Sequence, residues 1–391
     1  MEEILLKDIC DLDNGYAFKS DDYVEASDTL NCRMSNIRPD GTFDILYSAK
    51  YLPNEFAEKY EDYLLNDGDL IIAMTDMAGD PKILGVPTVV DTKGYKLLLN
   101  QRVGKLRFIK PGVNADYLKL ALQSKRVREY LKRFAGGGVQ LNVSKKDILN
   151  APVRMRTEEE QDYIAGLFRR ILEIKKQREQ ELLCLDNLIK ARFVELFGDP
   201  DLNPMGWKES LLSEKLDVLG GYAFKSDEFD EESGIPVLRI GNINAGYFRP
   251  VNMVYWHEDE SLERYVMYPG DLVMSLTGTV GKDDYGNVCI LGNDYDKYYL
   301  NQRNAKLEIK EGLDKLYLSE ILKFEKIKKR LTGISRGVRQ ANIANRDILN
   351  LCIPVPPMDK QKQFADFVKQ VDKSKVVAEK NWNIHNICLV A

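Results

Sequence analysis

The chain carries the same segments twice, in the same order. GYAFKSDDY at Gly15–Tyr23 returns as GYAFKSDEF at Gly221–Phe229, and LNQRVGKL at Leu99–Leu106 returns as LNQRNAKL at Leu300–Leu307. DILN at Asp147–Asn150 returns at Asp347–Asn350. The interval is about 200 residues each time, so a whole domain is duplicated and a solenoid of small units is excluded. Two similar modules suit two similar targets, or one target with two halves.

Within each repeat a mixed part precedes a helical part. Short apolar runs such as Asp69–Met74 and Asp271–Leu276 follow turn signals (Asn66-Asp67-Gly68, Pro269-Gly270) and read as strands. From Thr157 the pattern changes. A capping-box threonine leads into Glu158, Glu159 and Glu160, and then Ile164, Leu167, Ile171, Ile174, Leu182, Leu185 and Ile189 recur at coiled-coil spacing. At about 1.5 Å per residue, a helix from Thr157 to Phe197 is a rod of roughly 60 Å. Its stripe needs a partner, and the second copy offers Met358–Lys380 with Phe364, Phe367 and Val371, behind Pro356-Pro357. The expected fold class is α+β: two similar recognition-type domains of small mixed sheets plus helices, separated by two long helices in an antiparallel coiled coil, with pseudo-two-fold repetition. The expected division is residues 1–155, 156–198, 199–355 and 356–391.

Composition removes several function classes. No apolar run is long enough to span a membrane. The N-terminal MEEILLKDIC lacks a signal-peptide pattern, and the scattered cysteines form no CxxC pair, which fits a cytoplasmic protein. With two histidines, a histidine-based metal site is not expected. Gly278–Lys282 (GTVGK) matches part of a phosphate loop but lacks its spacing, and Asp283 stands where Ser or Thr should follow. No dinucleotide fingerprint or HExxH motif is present. The expectation is a chain without catalytic residues, metal or cofactor of its own.

Charge placement says more than the net −5. Lys119, Lys125, Arg126, Arg128, Lys132 and Arg133 cluster before one DILN element; Lys323, Lys326, Lys328, Lys329, Arg330, Arg336 and Arg339 cluster before the other. Such patches suit phosphate contacts, and they also suit two solvated helix faces. Gln101 with Arg102, and Gln302 with Arg303, have the chemistry to read purine edges. Their identity in both copies equally suits a turn-stabilising role, because readers of different sequences should differ. The same choice applies to Lys19 and Lys225, whose neighbouring aromatics (Tyr16, Phe18, Tyr222, Phe224) read as core. Divergent polar stretches are the better sequence readers: Arg33, Asn36 and Arg38; Arg239, Asn242 and Asn244; Thr277 and Lys282; and the turns holding Gln140, Asn142 and Ser144, or Arg339, Gln340 and Asn342.

Taken in order and in duplicate, these segments resemble the specificity subunit of type I restriction-modification systems. The likeness rests on GYAFKS followed by an SNI or GNI segment, the GDL strand, LNQR, the turn into DILN, the Pro356-Pro357 to Gln361 helix start, and RFVELFGDPDLNPMGW at Arg192–Trp207. It implies two target-recognition domains, each reading one half of a split duplex-DNA sequence. It also implies an antiparallel helical spacer that sets the gap and docks two methyltransferase (modification) subunits, to which restriction subunits join. Methyl donor, ATP and magnesium would then bind partner chains. A coiled-coil scaffold with two protein-binding modules is the alternative. One departure stands out. The second helix, read as ending at Lys380, is roughly 35 Å long by the same rise, so the C-terminal spacer helix is expected to be shortened.

Overall fold

In the first repeat the apolar runs become strands β1 (Glu2–Leu5), β2 (Cys10–Asn14), β3 (Thr29–Cys32), β4 (Tyr51–Leu52), β5 (Leu64–Leu65) and β6 (Leu70–Ala73). They are followed by β7 (Thr75–Met77), β8 (Pro87–Val89), β9 (Lys96–Leu99), β10 (Val103–Phe108), β11 (Gln140–Asn142) and β12 (Pro152–Met155). The second repeat supplies β13 (Glu209–Leu211), β14 (Leu216–Gly220), β15 (Ile235–Leu238), β16 (Val254–Trp256), β17 (Val266–Met267) and β18 (Leu272–Ser275). Then come β19 (Thr277–Thr279), β20 (Val288–Ile290), β21 (Tyr298–Leu300), β22 (Asn304–Ile309), β23 (Gln340–Asn342) and β24 (Cys352–Pro354). This computed structural model describes residues 2–280, 282–333 and 340–390. Arg336 and Arg339 lie outside the described residues.

The topology repeats strand for strand. A four-stranded sheet in the order β2-β10-β6-β8 recurs as β14-β22-β18-β20, and β4-β3-β9-β5 recurs as β16-β15-β21-β17. Two-stranded pairs β1-β12 and β7-β11 recur as β13-β24 and β19-β23. β3 runs parallel to β9 and β15 parallel to β21, and the other named strand pairs among the described residues are antiparallel. Every residue of β6 and of β18 is buried, as strands covered on both faces must be.

After α1 (Phe56–Lys59), which has no α-helical counterpart among the described residues of the second copy, the helices also repeat: α2 (Ala115–Gln123), α3 (Lys125–Phe134), α4 (Lys145–Leu149) and α5 (Glu158–Phe197), then α6 (Lys315–Lys323), α7 (Glu325–Thr332), α8 (Asn345–Leu349) and α9 (Met358–Val390). Asn114 caps α2 and Asp314 caps α6, each accepting from backbone amides of the first turn. Val127 and Leu131 turn one face of α3 into the core and leave its cations on the other. α5 ends at Gly198, whose φ of 79° only glycine holds without strain; an added Cβ there would meet Pro204 Cγ at 2.5 Å.

Two units emerge, Met1–Ile174 and Lys175–Ala391, and the division falls inside α5. In the second unit α5 and α9 pair. Phe364 meets Phe193 and Phe197 at ring centroid distances of 5.3 and 5.6 Å, while Lys375 pairs with Asp186 at 2.7 Å. Moving forward along α9 means moving backward along α5, so the pair is antiparallel. Ile189, Phe364 and Val371 are buried in this seam, and Leu182, Leu185 and Phe367 are half-buried.

Two expectations need correction. α9 is still the shorter helix, with 33 residues against 40 in α5, but it does not stop at Lys380 and runs on to Val390. Asn381–Val390 contains neither proline nor glycine, so the loss of the apolar stripe there does not break the helix. Leu167 and Ile174 are exposed, because the packed face of α5 in the first unit is set by Gln161 and Ala165 instead; Ile164 and Ile171 are half-buried.

Candidate nucleic-acid interface

The two most faithful repeats, GYAF and LNQR, are built against each other. The Tyr16 amide donates to the Leu99 carbonyl at 2.8 Å and the Gln101 amide to Tyr16 at 3.0 Å; Tyr222, Leu300 and Gln302 do the same at 2.9 and 2.8 Å. The close approach explains the leading glycine. A Cβ on Gly15 would lie 2.3 Å from the Asn100 carbonyl carbon, and one on Gly221 would lie 2.2 Å from the Asn301 oxygen. The LNQR motif therefore divides in function. Asn100 is buried and its Oδ1 accepts from the Arg102 amide at 3.2 Å, so asparagine makes the turn. Gln101, Arg102, Gln302 and Arg303 are exposed, and no side-chain hydrogen bond or ion pair engages them among the described residues.

Aromatic rings stand behind these turns. Tyr16 packs on Tyr60 at 4.5 Å and on Phe18 at 5.0 Å; Phe224 packs on Trp256 at 5.2 Å and on Tyr299 at 5.6 Å. Of the four aromatics expected in the core, Phe224 is buried, Tyr16 and Phe18 are half-buried and Tyr222 is exposed. Lys19 is exposed, while Lys225 is paired with Glu228 at 2.8 Å.

The first divergent loops share an internal staple. Asn36 and Asn242 are buried, and each spends its amide on loop carbonyls: Asp44, Ile45 and Tyr47 for Asn36, Arg249 and Val251 for Asn242. Both hold their loops together, and Asn242 also lines the groove described next. What the loops display differs. In the first, Arg38 stacks over the Tyr47 ring at 3.8 Å and Arg33 is half-buried. In the second, Arg239 donates to the Asn252 carbonyl and lines an open groove of about 720 Å³ with Phe224, Phe229, Asn252, Gln302 and Arg303. Asn244 is turned aside to donate to the Asp284 carbonyl at 2.7 Å. Sequence reading missed Tyr47, Phe229 and Asn252, since no pattern pairs them with their arginines.

The second loops are clamped by the basic helices. Arg128 donates to the Lys82 carbonyl at 3.0 Å, and Lys328 reaches Asp283 and, at 2.6 Å, Asn287 Oδ1. Burial holds Arg128 below its ordinary pKa, which marks a structural cation rather than a solvated one. Other cluster members are also engaged: Arg126 with Glu3 at 2.6 Å, Lys329 with Glu325, and Arg330 with Asp201 at 2.6 Å. The Arg330 guanidinium holds the Asp201 carboxyl below its usual range. Lys132, Arg133 and Lys282 are exposed, and no ion pair at contact distance engages them among the described residues. Of the turn residues, Ser144 caps α4 by accepting from Asp147 N, Asn142 accepts from the Thr75 hydroxyl at 2.7 Å, Gln140 lies on β11 and Gln340 on β23, and Asn342 is exposed. Thr277, paired in register with Asn342, buries a hydroxyl that finds no partner among the described residues.

The arrangement presents unpaired cations and amides beside aromatic rings and polar loops, which is chemistry for phosphate contact and base-edge readout. Among the described residues no cluster of His, Cys, Asp and Glu could hold a metal ion, and no helix is long and apolar enough to cross a membrane. Burial pushes the Cys10, Cys32 and Cys289 thiols up to about 12, so they stay protonated and unreactive near neutral pH.

Known proteins share this organisation. The family described as type I restriction modification DNA specificity domain matches twice, over residues 1–183 and 204–385. The type I restriction enzyme MjaVIII specificity subunit of Methanocaldococcus jannaschii is 26% identical over 348 residues, covering 83% of this chain and 78% of that one. The crystal structure of a type I restriction-modification S subunit from M. genitalium superposes with a TM-score of 0.58 at 13% identity, over 99% of this chain and 93% of that one. A structure described as the basis of complex assembly and conformational transition of the type I R-M system gives 0.52 at 17% identity, over 99% and 95%.

Proposed function

The chain belongs to the type I restriction-modification DNA specificity family, a class of non-catalytic sequence-recognition subunits, and from that premise we propose how its parts divide the work. Each module reads one half of a bipartite duplex target. The helices α5 and α9 set the gap between the halves and dock two modification subunits, to which restriction subunits join. Methyl donor, ATP and magnesium belong to those partner chains, and the assembly works in the cytoplasm.

One observation carries the reading. An identical, unpaired Gln–Arg pair is held at the same turn of each module, beside loops that differ between modules. The constant pair suits contacts common to both halves, above all to phosphates, and the variable loops suit base edges. Arg102, Arg303, Lys132 and Arg133 are the proposed phosphate contacts. Arg33, Arg38 with Tyr47, Arg239, Lys282, Asn342 and the groove beside Gln302 are the proposed readers.

Methylation mapping of genomic DNA from cells carrying the complete system tests this. The expected result is a motif with two defined halves around one fixed, degenerate gap. A continuous motif, or none, would count against the proposal.

A further inference from the structure

Each long helix begins with a buried glutamine that makes the same three hydrogen bonds. Gln161 accepts from the Asn114 amide at 3.0 Å and donates to the carbonyls of Arg156 at 2.9 Å and Gly112 at 3.3 Å. Gln361 accepts from the Asp314 amide at 2.7 Å and donates to Pro356 at 2.7 Å and Gly312 at 3.5 Å. Their exposures are 3% and 0%. A second bond recurs beside each. The Tyr117 hydroxyl donates to the Arg154 carbonyl at 2.8 Å, and the Tyr317 hydroxyl to Pro354 at 2.7 Å.

Helix capping alone does not require this arrangement. Thr157 and Glu160 already form a capping box at the start of α5. The glutamine instead joins three separate pieces of one module: the first turn of the long helix, the strand end leading into it, and the loop before α2 or α6. Tyrosine fixes that strand end to the same short helix. A buried side-chain amide satisfied at both ends is directional, so it constrains the angle at which the helix leaves its module, which apolar packing does far less strictly.

We infer that Gln161 and Gln361, backed by Tyr117 and Tyr317, are positioning residues that fix the angle between each reading module and its spacer helix, and thereby the number of base pairs between the two half-sites. The inference rests on the proposed function. One added base pair moves a half-site by about 3.4 Å and turns it by about 35°. A joint that holds its angle to a fraction of that permits a single gap; a loosened joint permits neighbouring gaps.

The test uses the complete modification complex, with methylation mapped for the wild type and for Gln161→Leu and Gln361→Leu. Leucine keeps the volume and leaves the amide and both carbonyls unpaired. The expected result is unchanged bases in both halves, with methylation at gaps one base pair longer or shorter rising at least ten-fold over wild type. Asn114 and Gly112 are not altered, so general unfolding of the loop is separated by thermal melting of the same complex. If leucine prevents assembly, Gln→Met and Gln→Glu are read in the same way. Retention of one gap in every variant that assembles overturns the inference, and so does failure of all variants to assemble, which would make the contact one of folding alone. A wild-type complex with no bipartite motif sinks the underlying functional reading instead.

Discussion

The two modules agree in framework and differ in how their second loop is held. Asp76 on β7 turns its carboxylate into the loop and accepts from the amides of Ile83 and Leu84. The same register position on β19 is Gly278, and there Asp284 reaches back from the far side of the loop to accept from the Thr279 amide at 2.7 Å. That amide holds the Asp284 carboxyl below its ordinary range. A Cβ on Gly278 would meet Asp284 Oδ1 at 2.3 Å, so the glycine makes room for the relocated carboxylate. One need, a carboxylate that ties strand to loop, is met from the strand in the first module and from the loop in the second. Sheets and long-helix joints are held constant, while loops solve the same local problem in different ways, as expected where the scaffold is shared and the targets differ.

The largest test of the shared framework lies at the paired glycines. Gly15→Ala and Gly221→Ala should each destabilise the protein by roughly 1–3 kcal/mol, because a methyl cannot fit against the neighbouring backbone. Thermal unfolding of the two variants should show comparable losses, and a neutral result at either site would mean that the motif pair relaxes easily. The next effect concerns binding. Arg102→Ala and Arg303→Ala should each weaken DNA binding about ten-fold and reduce the salt slope by about one, leaving the recognised bases unchanged. A changed base in one half would move that arginine from phosphate contact to readout. The smallest effect separates the modules. Thr75→Val removes the hydrogen bond to Asn142 and should cost about 1 kcal/mol, whereas Thr277→Val, whose buried hydroxyl finds no partner among the described residues, should be neutral or slightly stabilising. Equal costs in denaturant titration would erase this asymmetry.

Duplication, α+β class and the long central helix were legible because they rest on repeated motifs and on apolar periodicity, which are properties of sequence order. The extent of α9 was not, since helix continuation there depends on the absence of breakers rather than on a stripe. Interface residues were legible only in part. Asn36, Asn242 and Ser144 have the residue types of readers, and in the structure each bonds to its own loop or helix cap, which residue type alone does not reveal. Arg128 and Lys328 look like solvated phosphate contacts, yet both turn inward as clamps. A side chain's type says what it can bond; only the fold says whether a nearer group has taken the bond first. The repeat did hold a usable signal, because polar residues identical in both copies proved structural at Asn100, Gln161 and Gln361.

The claim that each module reads its own half is tested most directly by replacing residues 1–155 with the corresponding module of another specificity subunit and mapping methylation by the assembled complex. One half of the motif should change, with the other half and the gap preserved. Simultaneous change in both halves, or in neither, would contradict the account.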